Sequence, residues 1–331
     1  MKLKLLIILC FIIPAVLTFG QDPHFSQYYA SPATVNPAMT GKFQGSSRIS
    51  GVYRQQWAQY GDPFATGTIT YETKTGNSRM EEGISSLALG GFMLYDKTPG
   101  GIIKSQYFQG LISYHQVLDK NGFHKLGIGF MAGLAQKSLD LTNVSFGSQF
   151  TTNGFNLALP NMEPFNGRSM SNFDIQGGLL YSYNDNEREF YLGTSLYHIN
   201  EPKNYFYDKN TIQQNIPRRY AINAGANIVT EYLHLATSAL YMRQGNINYI
   251  LAGASVGMPF NETGVLYTGL WYRVGEAFIP QLNLQFNNTN IGLSYEAFIN
   301  PKTFVKPRSL EISISWRSIF EQPSKLNCYS F

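Results

Sequence analysis

The residues in this sequence most suited to covalent chemistry are a serine and a histidine two positions apart. Ser113 and His115 lie in a run of alternating apolar and polar residues, so on a strand both side chains would point to the same face. A histidine next to a serine can take the hydroxyl proton and make a nucleophile. A hydrolase acting on membrane lipid would need this pair on its outer surface. Such spacing is common in a serine-rich chain, and we expect both residues to be structural.

Other catalytic or ligand-binding patterns are missing from the sequence. The remaining histidines are His24, His124, His198 and His234, and no HExxH, CxxC or glycine-rich phosphate loop accompanies them. Without Lys2 and Lys4 the formal charge of +4 falls to +2, which does not indicate nucleic acid as a partner. We therefore predict a protein that is not an enzyme, with no catalytic residue, metal or cofactor.

Charged residues recur on the polar side of alternating segments. Arg273, Glu296 and Glu311 are predicted to face the interior, and Asp174 could join them. The carboxylates could line a pore, or they could pair with the arginines at positions 48, 54, 273 and 317 as polar packing. The sequence leaves these two alternatives open.

An aromatic, proline-stiffened stretch stands near the N-terminus. It reads QDPHFSQYYASPATVNPAMTG over residues 21–41, and its three prolines exclude a continuous helix and disfavour a ladder strand. Disordered tails are poor in aromatics and rich in charge, unlike this stretch. We predict that it packs against the rest of the protein, with Phe25, Tyr28 and Pro37 as anchors and with Asp22 and Asn36 fixing turns. It would enter the mouth or the interior of the fold, or merely cap the first strand.

The first twenty residues have the pattern of a secretory signal peptide. Lys2 and Lys4 precede an apolar run, and small or polar residues precede Gln21, where we expect cleavage. Only Cys328 would remain, which excludes an intramolecular disulfide.

The composition points to a membrane β-barrel. Charged residues are 14% of the chain and aromatic residues 15%, whereas water-soluble domains carry about 25% charge. Beyond the first twenty residues, no continuous apolar run reaches the roughly 20 residues that a spanning helix needs. Barrel strands reconcile these facts because they place apolar side chains at every second position.

Alternation along the chain supports this interpretation. In LGIGFMAGL at 126–134, in QLNLQF at 281–286 and in LEISISW at 310–316, large apolar side chains share one face, and polar or small residues share the other. The whole chain predicts an all-β fold, a transmembrane antiparallel barrel of about fourteen strands. The strands are predicted at 45–58, 64–74, 84–96, 103–118, 123–138, 172–184, 189–198, 218–229, 231–243, 247–258, 264–275, 277–287, 289–298 and 309–320.

Connection lengths predict the orientation of the barrel. If both termini are periplasmic, the two longest connections, 139–171 and 199–217, face outward, and turns such as 119–122 face the periplasm. We predict four parts: a signal peptide at 1–20, an N-terminal motif segment at 21–44 that forms a plug or a mouth cap, a barrel at 45–320 and a tail at 321–331.

Two stretches near the N-terminus resemble the PorP/SprF family of Bacteroidota outer-membrane proteins. The family pattern runs D-P-x-F-S-Q-Y, then N-P-A and a glycine, then R-x-Q-W. The matching residues are Asp22, Pro23, Phe25, Ser26, Gln27, Tyr28, Asn36, Pro37, Ala38, Gly41, Arg54, Gln56 and Trp57. The resemblance continues through GLWYRVGEAF at 269–278 and RSLEISISW at 308–316.

This resemblance implies an integral outer-membrane component of the type IX secretion system. The implied partners are a secreted cargo with a type B C-terminal sorting domain, as in gliding adhesins, other secretion components such as a peptidoglycan-associated lipoprotein, and outer-membrane lipid. Such a barrel would bind, help export or anchor its cargo on the cell surface.

The outer loop 139–171 is the candidate partner-binding surface. It carries Phe146, Phe150, Phe155 and Phe165 in a nearly neutral setting, and exposed apolar patches of this kind mark interaction sites. Alternatively these rings fold inward and close the barrel. A transporter of hydrophobic small molecules, similar to fatty-acid channels, is the alternative function. The tyrosines and tryptophans, including Trp57, Trp271 and Trp316, are expected to form interfacial girdles.

Overall fold

Fourteen strands among the described residues pair into a closed antiparallel barrel. The computed structural model describes residues 22–76, 84–142, 144–163, 169–185, 187–204, 214–299 and 308–318. The strands are β1 Ser47–Gln56, β2 Phe64–Lys74, β3 Ser86–Lys97, β4 Ile103–Val117, β5 His124–Leu139, β6 Phe150–Thr151, β7 Gly154–Phe155, β8 Ser169–Asn184, β9 Arg188–Tyr197, β10 Lys203–Asn204, β11 Gln214–Asn215, β12 Arg219–Val229, β13 His234–Gln244, β14 Ile247–Pro259, β15 Gly264–Arg273, β16 Ala277–Phe286, β17 Thr289–Phe298 and β18 Arg308–Ser318.

Each barrel strand pairs with its neighbour along the chain, and β1 closes the ring on β18. The closing register places Arg54 opposite Glu311. The pairs β6–β7 and β10–β11 are separate two-stranded hairpins within the connections β5–β8 and β9–β12. The predicted all-β barrel of about fourteen strands is confirmed, and each of its strands overlaps a predicted range.

The alternation predicted from the sequence decides which side chains face outward. On β16, Leu282, Leu284 and Phe286 are exposed, whereas Gln281, Asn283 and Gln285 are buried. The same division holds on β5 and β18, where the residues predicted to face lipid are largely exposed and Glu311 is buried. The outer wall is therefore apolar in the way that lipid requires. Among the described residues, no helix is long and apolar enough to cross a membrane.

The two ends of the barrel differ in their connections. We call the end that carries the connections 140–168 and 198–218 the loop end, and the opposite end, with turns such as 185–187 and 287–288, the turn end. In outer-membrane barrels the short turns face the periplasm. β1 begins and β18 ends at the turn end.

Residues 22–44 run through the barrel lumen and are called the lumenal segment from here on. Three short 3-10 turns, Tyr28–Ala30, Pro32–Thr34 and Pro37–Met39, fold the segment compactly, and every residue from Phe25 to Gly41 except Ala30 is buried. The side chain of Asn36 caps the third turn by accepting a hydrogen bond from the Ala38 amide at 2.9 Å. Prolines fit the first position of such turns because their missing N–H has no partner there.

The lumenal segment runs from the loop end to the turn end of the barrel. Asp22 contacts the loop-end residues His198 and Arg219, whereas Lys42 contacts Glu189 at the turn end. The segment thus crosses the lumen before β1 begins. Asp22 and Ser318, the first and last described residues, lie at opposite ends of the barrel. The periplasmic position expected for both termini stays a prediction, because residues 1–21 and 319–331 lie outside the described residues.

Candidate functional site

A buried ionic cluster holds the start of the lumenal segment near the loop end. Glu311 on β18 accepts hydrogen bonds from the amides of Ser26 at 2.8 Å and Gln27 at 2.9 Å. These amides precede the first 3-10 turn, so its carbonyls do not accept from them, and the carboxylate supplies the acceptor that buried N–H groups need. The Gln27 side chain is also bound, because its Nε2 donates to the Glu311 carbonyl at 3.1 Å and its Oε1 accepts from the Ser313 hydroxyl at 2.8 Å.

Two arginines complete this cluster, which we call the arginine–glutamate clamp: Arg54, Arg273, Glu296 and Glu311. Glu296 receives the guanidinium of Arg54 at 2.8 Å and that of Arg273 at 2.5 Å. Arg54 also lies 3.2 Å from Glu311. All four side chains are at least 97% buried.

The clamp touches the lumenal segment directly. Ser26 donates its hydroxyl hydrogen to Glu296, and Arg273 donates to the Ser26 hydroxyl oxygen at 3.1 Å. Arg54 donates to the carbonyl of His24 at 2.5 Å. Removing one partner of such a buried pair costs about 3–5 kcal/mol, because it leaves a charge without compensation. The interior charges predicted from the sequence thus pair with each other and with the segment.

A second ionic cluster lies at the loop end, around the first described residue. Asp22 binds His198 at 2.7 Å and Arg219 at 3.1 Å, and His198 lies 2.9 Å from Asp174. Burial lowers the pKa of His198, but the two carboxylates outweigh it and raise the pKa from 6.5 to about 9. Burial acts to raise the pKa of Asp22, yet His198 and Arg219 together hold it well below its ordinary range.

Sequence reasoning gave His198 no specific role, and it considered only a pore lining or pairing with arginines for Asp174. His198 follows the last residue of β9 and adopts a positive φ of 56°, which is uncommon for a residue other than glycine. A single histidine after a strand gives no signal in one sequence, since its two carboxylate partners come from distant positions.

The N-P-A part of the motif sits against a wall of glycines. A Cβ at Gly129 on β5 would lie 2.5 Å from the Cα of Ala38, and one at Gly193 on β9 would lie 2.5 Å from Asn36 Nδ2. Asn36 also donates to the carbonyl of Leu179 at 3.0 Å. Glycine is required at Gly129 because the segment backbone lies too close for a Cβ, and at Gly193 because the Asn36 side chain does.

Ser113 and His115 contact the lumenal segment. The Ser113 hydroxyl donates to the Thr40 carbonyl at 2.6 Å, and His115 Nε2 lies 2.8 Å from the same oxygen. Both side chains are buried in the lumen, away from the outer surface that a lipid hydrolase would need. The structure therefore favours the structural role expected for them.

Two carboxylates near the turn end were not identified from the sequence. Glu72 on β2 pairs with Arg48 at 3.0 Å and accepts from the Gly41 amide at 3.2 Å. Glu189 on β9 pairs with Lys42 of the segment. Cross-strand register would have found the first pair, because Arg48 stands directly opposite Glu72.

Apolar anchors hold the segment on both sides. Phe25 packs in a buried cluster with Phe92 and Met131, and Tyr28 and Tyr29 pack in another with Trp271. Trp271 was expected in an interfacial girdle, and this was wrong: only 3% of its surface is exposed, and its ring lies 5.9 Å from that of Tyr29.

The other motif residues occupy varied surroundings. Pro23 is half-buried at the loop end, and Pro37 and Gly41 are buried in the lumen. Gln56 is half-buried at the end of β1. Trp57 is exposed with its ring 5.4 Å from that of Phe64, and Trp316 is exposed on the outer wall. Arg54 thus faces the segment, while Trp57, in the same R-x-Q-W pattern, faces outward.

The loop end carries the aromatic hairpin β6–β7. Phe150 and Phe155 pair across it with ring centroids 5.0 Å apart, and both are more than half exposed. Phe146 is half-buried, and Phe165 lies outside the described residues. The rings of Phe150 and Phe155 therefore do not fold into the lumen.

No group of three or more histidine, cysteine or acidic residues suited to a metal ion occurs in the described part of the chain.

One protein-family model matches nearly the whole chain. The sequence model of the family described as "Type IX secretion system membrane protein PorP/SprF" matches residues 17–316. The chain belongs to this PorP/SprF family. Family membership and the barrel fold make it an outer-membrane protein of the type IX secretion system, and they imply interaction with other components of that machinery.

Solved structures support the fold. The toluene transporter TodX of Pseudomonas putida is 9% identical, with a TM-score of 0.50, and the match covers 90% of this chain and 98% of that chain. The CymD monoaromatic hydrocarbon channel is 10% identical, with a TM-score of 0.50, over 91% of this chain and 96% of that chain. No curated protein matches in sequence. At such identities the likeness shows the fold alone.

Proposed function

We propose that this PorP/SprF barrel binds and anchors a secreted partner protein on its loop-end surface, without passing the partner through its lumen. The observation that carries the proposal is the occupation of the lumen by residues 22–44. A lumen closed by a buried, ion-paired segment offers no path for a polypeptide. Binding then has to use the surface outside the barrel.

The aromatic hairpin is the surface that best fits such a partner. Phe150, Phe155 and Met162 are exposed at 64%, 56% and 80%, in a loop with little charge. The rings of Phe150 and Phe155 contact each other, and exposed apolar patches of this kind mark interaction sites. Aromatic anchors also dominate binding energy at protein interfaces.

The partner proposed from the family is a secreted protein with a type B C-terminal sorting domain, as in gliding adhesins. Other secretion components, including a peptidoglycan-associated lipoprotein, would meet the turn end if that end faces the periplasm. The signal peptide at 1–20, with cleavage near Gln21, would deliver the chain there, and lipid would surround the apolar wall.

Affinity purification from gently solubilised outer membranes tests this proposal. The tagged wild-type protein should recover a large secreted protein with a C-terminal sorting domain. The double variant Phe150→Ser with Phe155→Ser should lose most of that protein. The matched control is Tyr232→Ser with Phe260→Ser, which removes two exposed aromatic side chains at the turn end.

Equal recovery of cargo with the hairpin variant and the control variant would refute the hairpin as the binding surface. Absence of any secreted partner from the wild-type preparation would count against anchoring as a whole. Heat-modified migration on gels should show that all three barrels are folded.

Transport of hydrophobic small molecules is the second candidate. Two buried apolar clusters flank the lumenal segment, so moving the segment would expose an apolar passage. TodX and CymD, which share the fold, are named as hydrocarbon channels. However, the lumenal cavities beside Asp22 and Trp271 measure about 40 and 10 Å³, far below the roughly 150 Å³ that admits benzene.

Toluene uptake into liposomes separates the two candidates. Transport predicts faster uptake with the wild-type barrel than with protein-free liposomes, and still faster uptake when residues 22–40 are deleted. Anchoring predicts that the wild-type barrel leaves uptake at the protein-free rate.

A further inference from the structure

A groove runs along the outer wall of the barrel, across β18, β1, β2, β3 and β4. Its volume is about 590 Å³, and its walls are mostly side chains that face away from the lumen. Its large side chains include Tyr53, Ile69, Met93, Tyr95, Phe108 and Ile312. We call this cavity the outer-wall groove.

Two outward-facing glycines leave the space for the groove. Gly67 on β2 stands directly between Tyr53 and Tyr95 in the strand register. Gly51 on β1 likewise stands between two isoleucines. A Cβ at Gly67 would meet its nearest heavy atom at 3.7 Å, an ordinary contact, and the residue has no positive φ. Packing therefore does not require glycine there, and a glycine inside a strand often marks the close approach of a ligand.

The groove ends in two lysines at the loop end. Lys97 on β3 lies two positions beyond Tyr95 on the same face, and Lys104 on β4 stands directly opposite Lys97. A Cβ at Gly101 would lie 3.3 Å from the Cε atoms of both lysines, so the ends of their side chains lie close together. Like charges set directly opposite each other on paired strands repel, and an anion beside them would offset that repulsion.

Each lysine also contacts one carboxylate. Lys97 lies 3.3 Å from Asp62, and Lys104 lies 3.4 Å from Asp140. All four side chains are between one third and one half exposed, and exposed pairs of this kind contribute little to stability. An ammonium group has three N–H donors, so each lysine keeps donors for a further acceptor. The groove therefore ends beside two cations and two anions that solvent reaches.

We propose that the outer-wall groove binds one molecule of phosphatidylethanolamine. One acyl chain lies along the groove, and the phosphate accepts hydrogen bonds from Lys97 and Lys104. The ammonium group of the lipid donates to Asp62 or Asp140. A zwitterionic headgroup matches the balanced charges of these four side chains, whereas an anionic headgroup would place net negative charge beside two carboxylates.

The dimensions of the groove fit an acyl chain. Its volume is about four times the roughly 150 Å³ that admits benzene, so it has room for about twenty carbon atoms. From Met93 to Lys97 the strand rises about 13 Å, which is about half of the roughly 25 Å apolar band of an outer-membrane barrel. A chain seated beside Met93 and Phe108 therefore reaches the middle of the membrane while its headgroup lies at the lysines.

Lipid in the groove would also act on the closure of the barrel. The groove crosses the pair β1–β18, at which the ring closes, so the lipid contacts both strands. A ligand that binds only the folded protein stabilises it. Phosphatidylethanolamine is thus expected to make the closed ring more resistant to unfolding. This inference does not depend on the proposed anchoring function.

Native mass spectrometry of the full-length barrel in detergent tests the proposal. The protein is titrated with phosphatidylethanolamine or with phosphatidylcholine, which carries the same phosphate but no N–H donor on its nitrogen. Phosphatidylethanolamine should fill one saturable site with at least tenfold higher affinity. Anionic phosphatidylglycerol should bind no better than phosphatidylcholine. Equal affinity for the three lipids, or tighter binding of phosphatidylglycerol, would overturn the proposal.

Filling the groove tests the position of the acyl chain. Gly67→Leu should weaken phosphatidylethanolamine binding at least tenfold, because the new side chain occupies the gap between the tyrosine rings. The matched control is Gly91→Leu, which adds the same side chain on the outer face of β3, outside the groove, where a Cβ has no heavy atom within 4 Å. Wild-type affinity in Gly67→Leu, or an equal loss in both variants, would refute the groove as the site.

A pair of lysine substitutions tests the phosphate contacts. Lys97→Gln with Lys104→Gln should weaken the binding of phosphatidylethanolamine and phosphatidylcholine alike, since both lipids carry the phosphate. The matched control is Arg243→Gln with Arg308→Gln, which removes two exposed cations from the outer face at the loop end. The control should bind both lipids as the wild-type protein does. An equal loss in the lysine and arginine variants would mean that general surface charge, and no specific site, holds the lipid.

The aspartates test the contact with the lipid ammonium group. Asp62→Asn with Asp140→Asn should reduce the preference for phosphatidylethanolamine over phosphatidylcholine to less than twofold. A preference that survives this change undiminished would overturn the assignment of the headgroup.

Discussion

The two halves of the lumenal segment are held in the barrel by different interactions. Residues 22–28, the loop-end half, are bound by buried charges: the arginine–glutamate clamp and the cluster of Asp22 with His198. Residues 36–43, the turn-end half, fit a glycine wall and make mostly neutral hydrogen bonds. The exceptions are Lys42, which pairs with Glu189, and the Gly41 amide, which donates to Glu72.

This difference has consequences for release of the segment. Charged contacts respond to pH and are costly when one partner is lost, because the remaining charge stays buried. A close fit against glycine responds to neither pH nor charge and fails only when side-chain volume is added. The loop-end half is therefore the part that solution conditions can loosen, and the turn-end half sets where the backbone lies.

The largest effect is expected from Glu296→Gln in the clamp. The change leaves the guanidinium groups of Arg54 and Arg273 buried without their shared carboxylate, at a cost of about 3–5 kcal/mol. Hydrogen exchange should accelerate a hundredfold or more in residues 22–28. It should change little in residues 36–43 if the halves are held independently.

The matched control is Glu276→Gln. Glu276 also pairs with Arg273, at 3.5 Å, but it is 53% exposed, so its loss should cost at most about 1 kcal/mol. Equal acceleration in both halves after Glu296→Gln would show that the segment is released as one cooperative unit, contrary to the comparison.

The second-largest effect is a dependence of stability on pH, and it is expected only from contacts of the loop-end half. Folding raises the pKa of His198 from 6.5 to about 9, so its stabilisation is complete below pH 6.5 and is lost as the pH rises through 9. Asp22 has a lowered pKa, and its contribution is present above its ordinary pKa of 3.8 and is lost in stronger acid. Stability from this cluster is therefore greatest between about pH 4 and 6.5.

Urea unfolding in micelles at pH 6 and pH 10 measures this contribution. Between pH 6 and pH 10 the free energy of unfolding should fall by about 2–3 kcal/mol more in the wild-type barrel than in His198→Gln, since 1 pKa unit corresponds to about 1.4 kcal/mol. The His198→Gln variant serves as the reference for lysines and tyrosines that also titrate. If the free energy of unfolding changes with pH in the same way in both proteins, His198 does not cause the pH dependence.

A volume change should disturb the turn-end half without affecting the charges. Gly129→Ala would place a methyl group 2.5 Å from the Cα of Ala38 and should cost about 1–3 kcal/mol. Exchange should accelerate in residues 36–43 at any pH. Gly91→Ala is the control, because a Cβ there points outward with no heavy atom within 4 Å. If Gly129→Ala changes neither the stability nor the exchange rates of residues 36–43, the barrel wall must shift to make room for the added methyl group.

Much of the barrel could be predicted because strand alternation is a local signal. The division of LGIGFMAGL into Leu126, Ile128 and Phe130 outside and Gly127 and Gly129 inside needed only the strand period. The same rule could have corrected Trp271. It shares a face with Arg273, which was assigned to the interior, so the two expectations for these residues were inconsistent.

The ionic clusters were harder to predict because their members are far apart in the chain. Asp22 and His198 are 176 residues apart, and no strand register relates the lumenal segment to the wall. The Arg48–Glu72 pair could have been predicted from the sequence, since hairpin pairing places Arg48 opposite Glu72. The position of Asp22 at the loop end follows from tertiary packing alone, so the strand pattern could not predict it.

The smallest effect should come from Tyr29, which lies between the two halves. Its hydroxyl donates to Gln281 at 2.5 Å and accepts from Asn283 at 3.2 Å. Tyr29→Phe removes both neutral hydrogen bonds while the ring still packs on Trp271, so the cost should be about 1 kcal/mol. Exchange should rise about fivefold near residue 29 only. If it rises equally in residues 22–28 and 36–43, Tyr29 couples the halves, and pH acting on His198 would then reach the glycine wall.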